Sequence, residues 1–545
     1  MKKTRVRFAP SPTGPLHMGG VRTALYNYLY AKQHDGDFIL RIEDTDSHRT
    51  VPGAEKYIIE SLRWCGIIPD EGADINGHIV EEKSESHPYA PYRQSQRKPI
   101  YKAYAEQLVK KGLAYYAFDT PEELNEKRAE AEAEKKTFIY NHENRGRLRN
   151  SISLPEAETQ KLLKETGHWT IRFKITPGRD IDMDDIIRGH IVINSSTLDD
   201  KVLWKASDGL PTYHLANIVD DHLMQITEVI RGEEWLPSLP LHYLLYEAFG
   251  WERPRFAHLP LLLKPTGQGK LSKRDGDKLG FPVFPLQWTS PEGEITKGYR
   301  EEGYYPQAFI NMLALLGWNP GTDQEIFTMD ELIKSFSLER VTKSGARFNP
   351  EKAKWFNQQY LRMRSDHDLA REFANEIDKK FHNREISVST NDMSFAYLAS
   401  LCGLIKERAH FVSDFWEISH YFFEAPVEFD EKDVKKFWNP GTAEKMEEAS
   451  EVINVIEFKD IKALISENLN KEDMEKERRE NINKIETKLT DFINEKGYKM
   501  GEIMNTLRLI FAGQAKGLGI AEIIFFIGKT NAITRIKDAI RYLDR

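Results

Sequence analysis

Arg5-Val6-Arg7-Phe8-Ala9-Pro10-Ser11-Pro12-Thr13-Gly14-Pro15-Leu16-His17-Met18-Gly19-Gly20 takes the chain from a short strand through a proline- and glycine-rich turn into a helix. Arg5 to Ala9 reads as the strand, and Gly19 to Gln33 as the helix, with apolar positions at Leu25, Tyr28, Leu29 and Ala31. Asp37-Phe38-Ile39-Leu40-Arg41-Ile42 follows as a second strand. Pro52-Gly53-Ala54-Glu55 then starts a second helix, with proline in its first turn, that ends near Cys65-Gly66. Strand, helix, strand, helix in this rhythm predicts an α/β class with a Rossmann-like parallel sheet, whose ligands sit beyond the carboxyl ends of the strands.

The chain of 545 residues exceeds what one hydrophobic core usually holds, so several domains are expected. The sheet domain reads as two halves, 1–115 and 205–265, interrupted by an α+β insertion over 116–204. In the insertion a charged helical stretch from Pro121 to Lys136 precedes strand-like runs at Trp169–Ile175 and His190–Ile193. Sheet-like signals resume at Thr212–Ala216 and continue through Glu228–Arg231. A Gly/Pro/aromatic segment follows to about Tyr305, within a region 266–365, and helical periodicity fills 366–545, with 467–488 densely charged as a solvated helix surface is.

Composition is that of a soluble protein, 40% hydrophobic and 30% charged, with no run long enough for a membrane span and no signal-peptide pattern after Met1. Only Cys65 and Cys402 are present, too few for a disulfide framework or a thiolate zinc cluster, and a reducing cytoplasm is the expected compartment. The net charge of −8 does not advertise a nucleic-acid partner, but binding depends on where Lys and Arg cluster.

A helix N-terminus offers unpaired backbone NH groups and positive dipole, so the turn around His17, Gly19 and Gly20 suits a nucleotide's phosphates. His17 would donate to a phosphate oxygen, while the two glycines keep side chains out of the nucleotide's way. An ordinary turn before a helix is the bland alternative. About 250 residues on, Lys270-Leu271-Ser272-Lys273-Arg274 reads as a mobile basic loop able to close over phosphates, against the usual fate of such a run as a solvated surface. Arg7 lies within a strand and Arg231 ends another. Two guanidinium groups in one pocket would suit an acidic side chain, and a surface ion pair is the alternative for each. Beyond the second strand, Glu43 would hold an ammonium group, whereas Asp44 and Asp46 would equally organise the turn. Asp220-Asp221-His222 suggests a metal site only superficially, because neighbours in a strand point to opposite faces.

The two basic and glycine-rich segments resemble the HIGH and KMSKS signatures of class I aminoacyl-tRNA synthetases. The stretches Arg7–Gly14, Leu40–Asp46, Tyr213–His222 and Arg231–Trp235 narrow the resemblance to bacterial-type glutamyl-tRNA synthetase, over nearly the full length. The resemblance implies ligation of L-glutamate to tRNA(Glu) with ATP and Mg²⁺, in the cytoplasm, by an enzyme whose usual form is a monomer. It implies a glutamate site of Arg7, Ala9, Ser11, Glu43, Tyr213, Asn217 and Arg231, and an ATP site of His17, Gly19, Gly20, Glu234, Leu262, Lys270, Ser272 and Lys273, with His17, Lys270 and Lys273 catalytic. By the same likeness 116–204 would hold the acceptor end, 266–365 would carry the signature loop and contact the stem, and 366–545 would bind the anticodon through Arg408 and Arg508. Some relatives carry zinc in the insertion. Tyr115-Tyr116-Ala117-Phe118 and the lack of cysteine there imply none in this chain.

Glutaminyl-tRNA synthetase shares the sheet domain but reads anticodons with β-barrels, which the helical periodicity after Trp318 disfavours. The chain's length disfavours a shortened relative that glutamylates queuosine, and the intact signatures disfavour a tRNA-binding protein without activity. A small nucleotidyltransferase would leave the C-terminal half unused. The stretch Asp275–Arg300 is longer than expected after the signature lysines, and the sequence gives it no role.

Overall fold

The computed structural model describes residues 2–46, 49–381 and 395–544, and of Lys273 and Phe381 the backbone alone. The chain divides into two units, residues 1–356 and 357–545.

In the first unit, strand Arg5–Phe8 pairs in parallel with Asp37–Leu40, from Arg5 opposite Asp37 to Phe8 opposite Leu40. All four residues of the first strand are buried, as expected for a parallel sheet covered on both faces. Val6 and Phe8 supply apolar surface, and the alternation sends Arg5 and Arg7 together to the other side. Arg5 is neutralised there by Asp37 at 2.7 Å and Glu71 at 2.8 Å. The crossover helix Met18–Gln33 buries Met18, Val21, Leu25 and Leu29 at helical spacing, each contributing about 1.5–3 kcal/mol by leaving water. Its buried Asn27 donates to the Ile230 carbonyl at 3.0 Å and ties the helix to the next ladder.

That ladder pairs strand Glu228–Gly232 in parallel with Arg255–Leu259, across the helix Leu239–Phe249. The Thr227 amide donates to the Arg5 carbonyl at 2.9 Å, so the two ladders lie side by side. Tyr213–Leu223, whose start reads as sheet in the sequence, is a helix. Leu215, Ile218 and Val219 are buried at helical spacing, and the short run Thr212–Ala216 mimics a strand's alternation only because it is short. Asp220 and Asp221 therefore sit on neighbouring positions of a buried helix, not on opposite faces of a strand.

Around the span 116–204 and past both its ends, strands Ala114–Ala117, Thr170–Phe173 and Val202–Lys205 form an antiparallel sheet that Leu210–Pro211 completes. Tyr115 packs with Tyr140 and Leu148 beneath it, and its hydroxyl donates to the buried Asp200 at 2.7 Å. The hairpin of Asp180–Asp185 and Gly189–Asn194 does not join this sheet. It pairs through Asp185 and Phe256 with strand Arg255–Leu259, which brings Asp185 into the parallel layer.

The second unit has no strand among its described residues. Helix Ile520–Ile527 is almost wholly buried, and Lys471–Glu495 buries a single stripe of Asn481, Ile485, Leu489 and Phe492 while its charged faces stay in water. Among the described residues no helix is long and apolar enough to cross a membrane.

Candidate active site

A cleft of about 630 Å³ opens at the carboxyl ends of the parallel strands Arg5–Phe8, Asp37–Leu40, Glu228–Gly232 and Arg255–Leu259. It is lined by Arg7, Ala9, Ser11, Glu43, Tyr213, Asn217 and Arg231, and equally by His17, Gly19, Gly20, Glu234, Leu262, Lys270 and Ser272. The side chain of Lys273 lies outside the described residues. Backbone pairing explains the convergence of the first elements, because the Arg41 and Glu43 amides continue the ladder by donating to the Phe8 and Pro10 carbonyls, both at 3.0 Å.

At one end Arg231, 4% exposed, donates from Nε to His258 Nε2 at 3.0 Å and from Nη1 to the Tyr213 hydroxyl at 3.0 Å. His242 Nδ1 lies 3.3 Å from the same Nη1. Among the described residues Arg231 has no carboxylate partner. Burial holds His258 down to about 4, with Asp185 pulling the other way, and holds His214 down to about 4. Burial also pushes His242 well below the ordinary histidine range, with Arg231 adding to it. All three rings are therefore neutral at pH 7, and the guanidinium is left as a buried cation without a counter-ion. Such a group is costly unless a ligand supplies the anion. Tyr213 stacks on Trp235 at 3.9 Å and walls this end.

Next to it the charges balance. Arg7 Nε and Arg41 Nη1 both donate to Asp221 Oδ1, at 3.0 and 2.8 Å, and Arg41 Nη2 donates to Glu43 Oε1 at 2.9 Å. Below them Asp220 accepts from Arg97 Nε at 2.8 Å, Tyr101 at 2.7 Å and Gln94 at 3.0 Å. Three guanidinium groups thus meet three carboxylates. Burial raises the Glu43 carboxyl while Arg41 and Arg7 pull it down. Asn217 also donates to Glu43 Oε1, at 3.2 Å. Both described hydrogen bonds to Glu43 fall on Oε1, so Oε2 is left for a donor in the cleft. Arg7 lines the cleft as expected but is tied to Asp221, whereas Arg231 is tied to no acid among the described residues. Asp44 is a turn organiser, accepting from the Ser95 amide at 2.8 Å and hydroxyl at 2.6 Å.

At the other end His17 caps the first helix. Its Nδ1 accepts from the Gly19 amide at 3.0 Å, which leaves the proton on Nε2, on the side of the ring away from the cap. Burial and the nearby Lys270 lower its pKa, against Glu234. A Cβ at Gly19 would stand 2.8 Å from His17 Cε1, so glycine there is required by the folded-back imidazole. Gly20 also lines the cleft, and a Cβ there would meet Leu16 Cδ1 at 2.5 Å, so its smallness serves packing between turn and helix as well. Lys270 Nζ lies 3.8 Å from Glu234 Oε1, both half exposed. The loop ends sooner than its sequence suggests, because Lys273 begins a helix, Lys273–Leu279, after Ser272, whose hydroxyl donates to Asp275 at 2.6 Å.

The segment after this helix acquires a role the sequence left blank. The Val283 carbonyl accepts the Met18 amide at 2.9 Å, and Val283 and Phe284 wall the His17 end of the cleft. Further on, the Leu286 carbonyl accepts the Tyr57 hydroxyl at 2.5 Å and Trp288 packs edge-on against Tyr57. Arg41, Asp221, His242 and His258 were likewise not singled out as site residues. Arg41 and Asp221 fall in the stretches Leu40–Asp46 and Tyr213–His222, while His242 and His258 show only as polar residues inside apolar runs, and neither signal gives a partner. In the second unit Arg408 Nη1 donates to the Gly517 carbonyl at 3.0 Å and Arg508 Nε to the Leu518 carbonyl at 3.0 Å, so the two arginines share one loop. Neither has a carboxylate partner among the described residues.

Two family models match: tRNA synthetases class I (E and Q), catalytic domain, over residues 3–355, and an anticodon binding domain over residues 367–540. A glutamate–tRNA ligase of Bacteroides fragilis is 52% identical over 545 residues, 99% of each chain. One from Christiangramia forsetii is 52% identical over 539 residues, again 99% of each. Among solved structures, a glutamate tRNA ligase from Elizabethkingia meningosepticum in complex with its amino acid superposes with a TM-score of 0.87 at 52% identity, covering 99% of this chain and 100% of that one.

Proposed function

The chain belongs to the class I tRNA synthetases of the glutamate and glutamine group, and from that premise we propose that it joins L-glutamate to the 3′ end of tRNA(Glu) through a glutamyl-adenylate, releasing AMP and pyrophosphate. The observation that carries the choice of glutamate is Arg231, a buried guanidinium with three neutral histidines around it and no acid among the described residues. A side-chain carboxylate neutralises it; the amide of glutamine does not.

Glutamate lies with its side-chain carboxylate on Arg231 and the Tyr213 hydroxyl, its ammonium on Glu43, and Arg7, Ala9, Ser11 and Asn217 around it. MgATP enters as the second substrate over Gly19, Gly20, Leu262 and Ser272. The α-carboxylate attacks the α-phosphorus, one acyl–phosphate bond forms, and the bond to pyrophosphate breaks. No nucleophile of the enzyme takes part. His17 Nε2–H donates to a phosphate oxygen, and Lys270 and Lys273 meet the charge that develops on the leaving group. A hydroxyl of the terminal adenosine of tRNA then displaces AMP from the adenylate. The two buried free thiols, Cys65 and Cys402, accord with a reducing cytoplasm.

Purified protein with cognate tRNA is expected to exchange pyrophosphate into ATP with glutamate and not with glutamine. Exchange with glutamine, or none with either, overturns the reading. In the helical unit, Arg408 and Arg508 present charge beside one loop and contact the anticodon. Arg408→Ala is expected to raise the KM for tRNA about tenfold, the worth of one good base or phosphate contact, with the KM for glutamate and ATP unmoved. Unaltered tRNA kinetics would remove the assignment.

A further inference from the structure

We propose that Asp185 and His258 form a relay that fixes the orientation of the Arg231 guanidinium, and that both act as positioning residues for selection of the acidic side chain, an inference that rests on the reading of the cleft as a glutamate site. His258 is fully buried between two groups of fixed polarity. Its Nδ1 lies 2.6 Å from Asp185 Oδ2, a carboxylate that only accepts, and its Nε2 lies 3.0 Å from Arg231 Nε, which only donates. The ring is therefore the neutral Nδ1–H tautomer, and its one lone pair aims Arg231 so that Nη1 reaches Tyr213 and the outer edge faces the cleft. Desolvation keeps this ring neutral, in keeping with the geometry.

The two oxygens of Asp185 divide the work. Oδ1 accepts the backbone amides of Ile187 at 3.0 Å, Arg188 at 2.9 Å and His258 at 3.3 Å, and so builds the turn, while Oδ2 serves His258. Asp185→Asn keeps the first function and inverts the second. An amide NH₂ in place of Oδ2 donates to Nδ1, forces the proton to Nε2, and sets two donors face to face at Arg231.

The test compares Asp185→Asn, His258→Leu and His258→Gln, the last of which restores an acceptor near the Nε2 position. Losing a buried hydrogen bond to a charged group predicts a rise of about tenfold or more in the KM for glutamate in the first two, with kcat within about threefold and the KM for ATP and tRNA unmoved. His258→Gln should return to within about threefold of wild type, since its amide oxygen accepts from Arg231 Nε. Nitrogen-15 spectra of histidine-labelled enzyme should show the His258 proton on Nδ1 in the wild type and on Nε2 in Asp185→Asn. Equal impairment of His258→Gln and His258→Leu, a parallel rise in all three KM values, or an unchanged tautomer in Asp185→Asn overturns the relay. If the wild-type enzyme charges no tRNA with glutamate, the reading of the cleft fails instead, and the tautomer measurement still decides whether the relay exists.

Discussion

Replacing Arg231 by alanine is expected to lower kcat/KM for glutamate about 10²- to 10³-fold, the scale of truncating one partner of a buried, hydrogen-bonded charge pair. Arg7, Arg41 and Arg97 meet Asp221, Glu43 and Asp220 within the protein, so removing any of them strands an acid and disturbs the whole network. Arg231 donates only to neutral groups among the described residues, so on the proposed reading its charge is answered by glutamate. The loss should therefore fall on glutamate, seen in aminoacylation titrated with each substrate in turn, while the dissociation constant for tRNA stays near wild type. A comparable fall in tRNA binding would place Arg231 in a different role.

The second large effect belongs to His17. His17→Asn retains an acceptor where Nδ1 caps the Gly19 amide but removes the donor at Nε2, so the helix start should hold while adenylate formation falls about 10²- to 10³-fold, the usual worth of one preorganised donor to a developing negative charge. Pyrophosphate exchange measures the loss and thermal unfolding confirms that the cap survives. Because burial and Lys270 lower the His17 pKa, the donor is the neutral ring at pH 7, and the wild-type rate should not rise as the pH is lowered toward 6. A rate that climbs on acidification would mean that the imidazolium is the active form.

Much of the cleft was legible because it is built from short contiguous motifs. A strand running into a turn rich in glycine and a helix points to Arg7, His17 and Gly19, Glu43 stands just beyond the end of the next strand, and Ala9 and Ser11 come from the family resemblance. The helix Tyr213–Leu223 was misread as sheet, since five residues at its start satisfy either periodicity, and the error carried through to the geometry assigned to Asp220 and Asp221. The hairpin of Asp180–Asn194 reads as part of the insertion because it is contiguous with it, yet its hydrogen bonds go to the strand Arg255–Leu259.

By itself the sequence determined the alternation of strands and helices in the first sheet, the glycine-rich turn into the first helix and the basic loop at Lys270, because each depends on neighbours within a few positions, while the wider set of residues around the cleft came from the family resemblance. Only the tertiary structure decided which of the charges are satisfied. That Arg7 is matched by Asp221 while Arg231 meets only neutral groups among the described residues, that Asp185 reaches His258, and that Val283 walls the His17 end of the cleft follow from contacts between residues up to 265 positions apart. Local periodicity says that a residue is buried, but the identity of a buried charge's partner is fixed only when distant elements pack, and that identity separates an ion pair that holds the fold together from a cation that waits for a ligand.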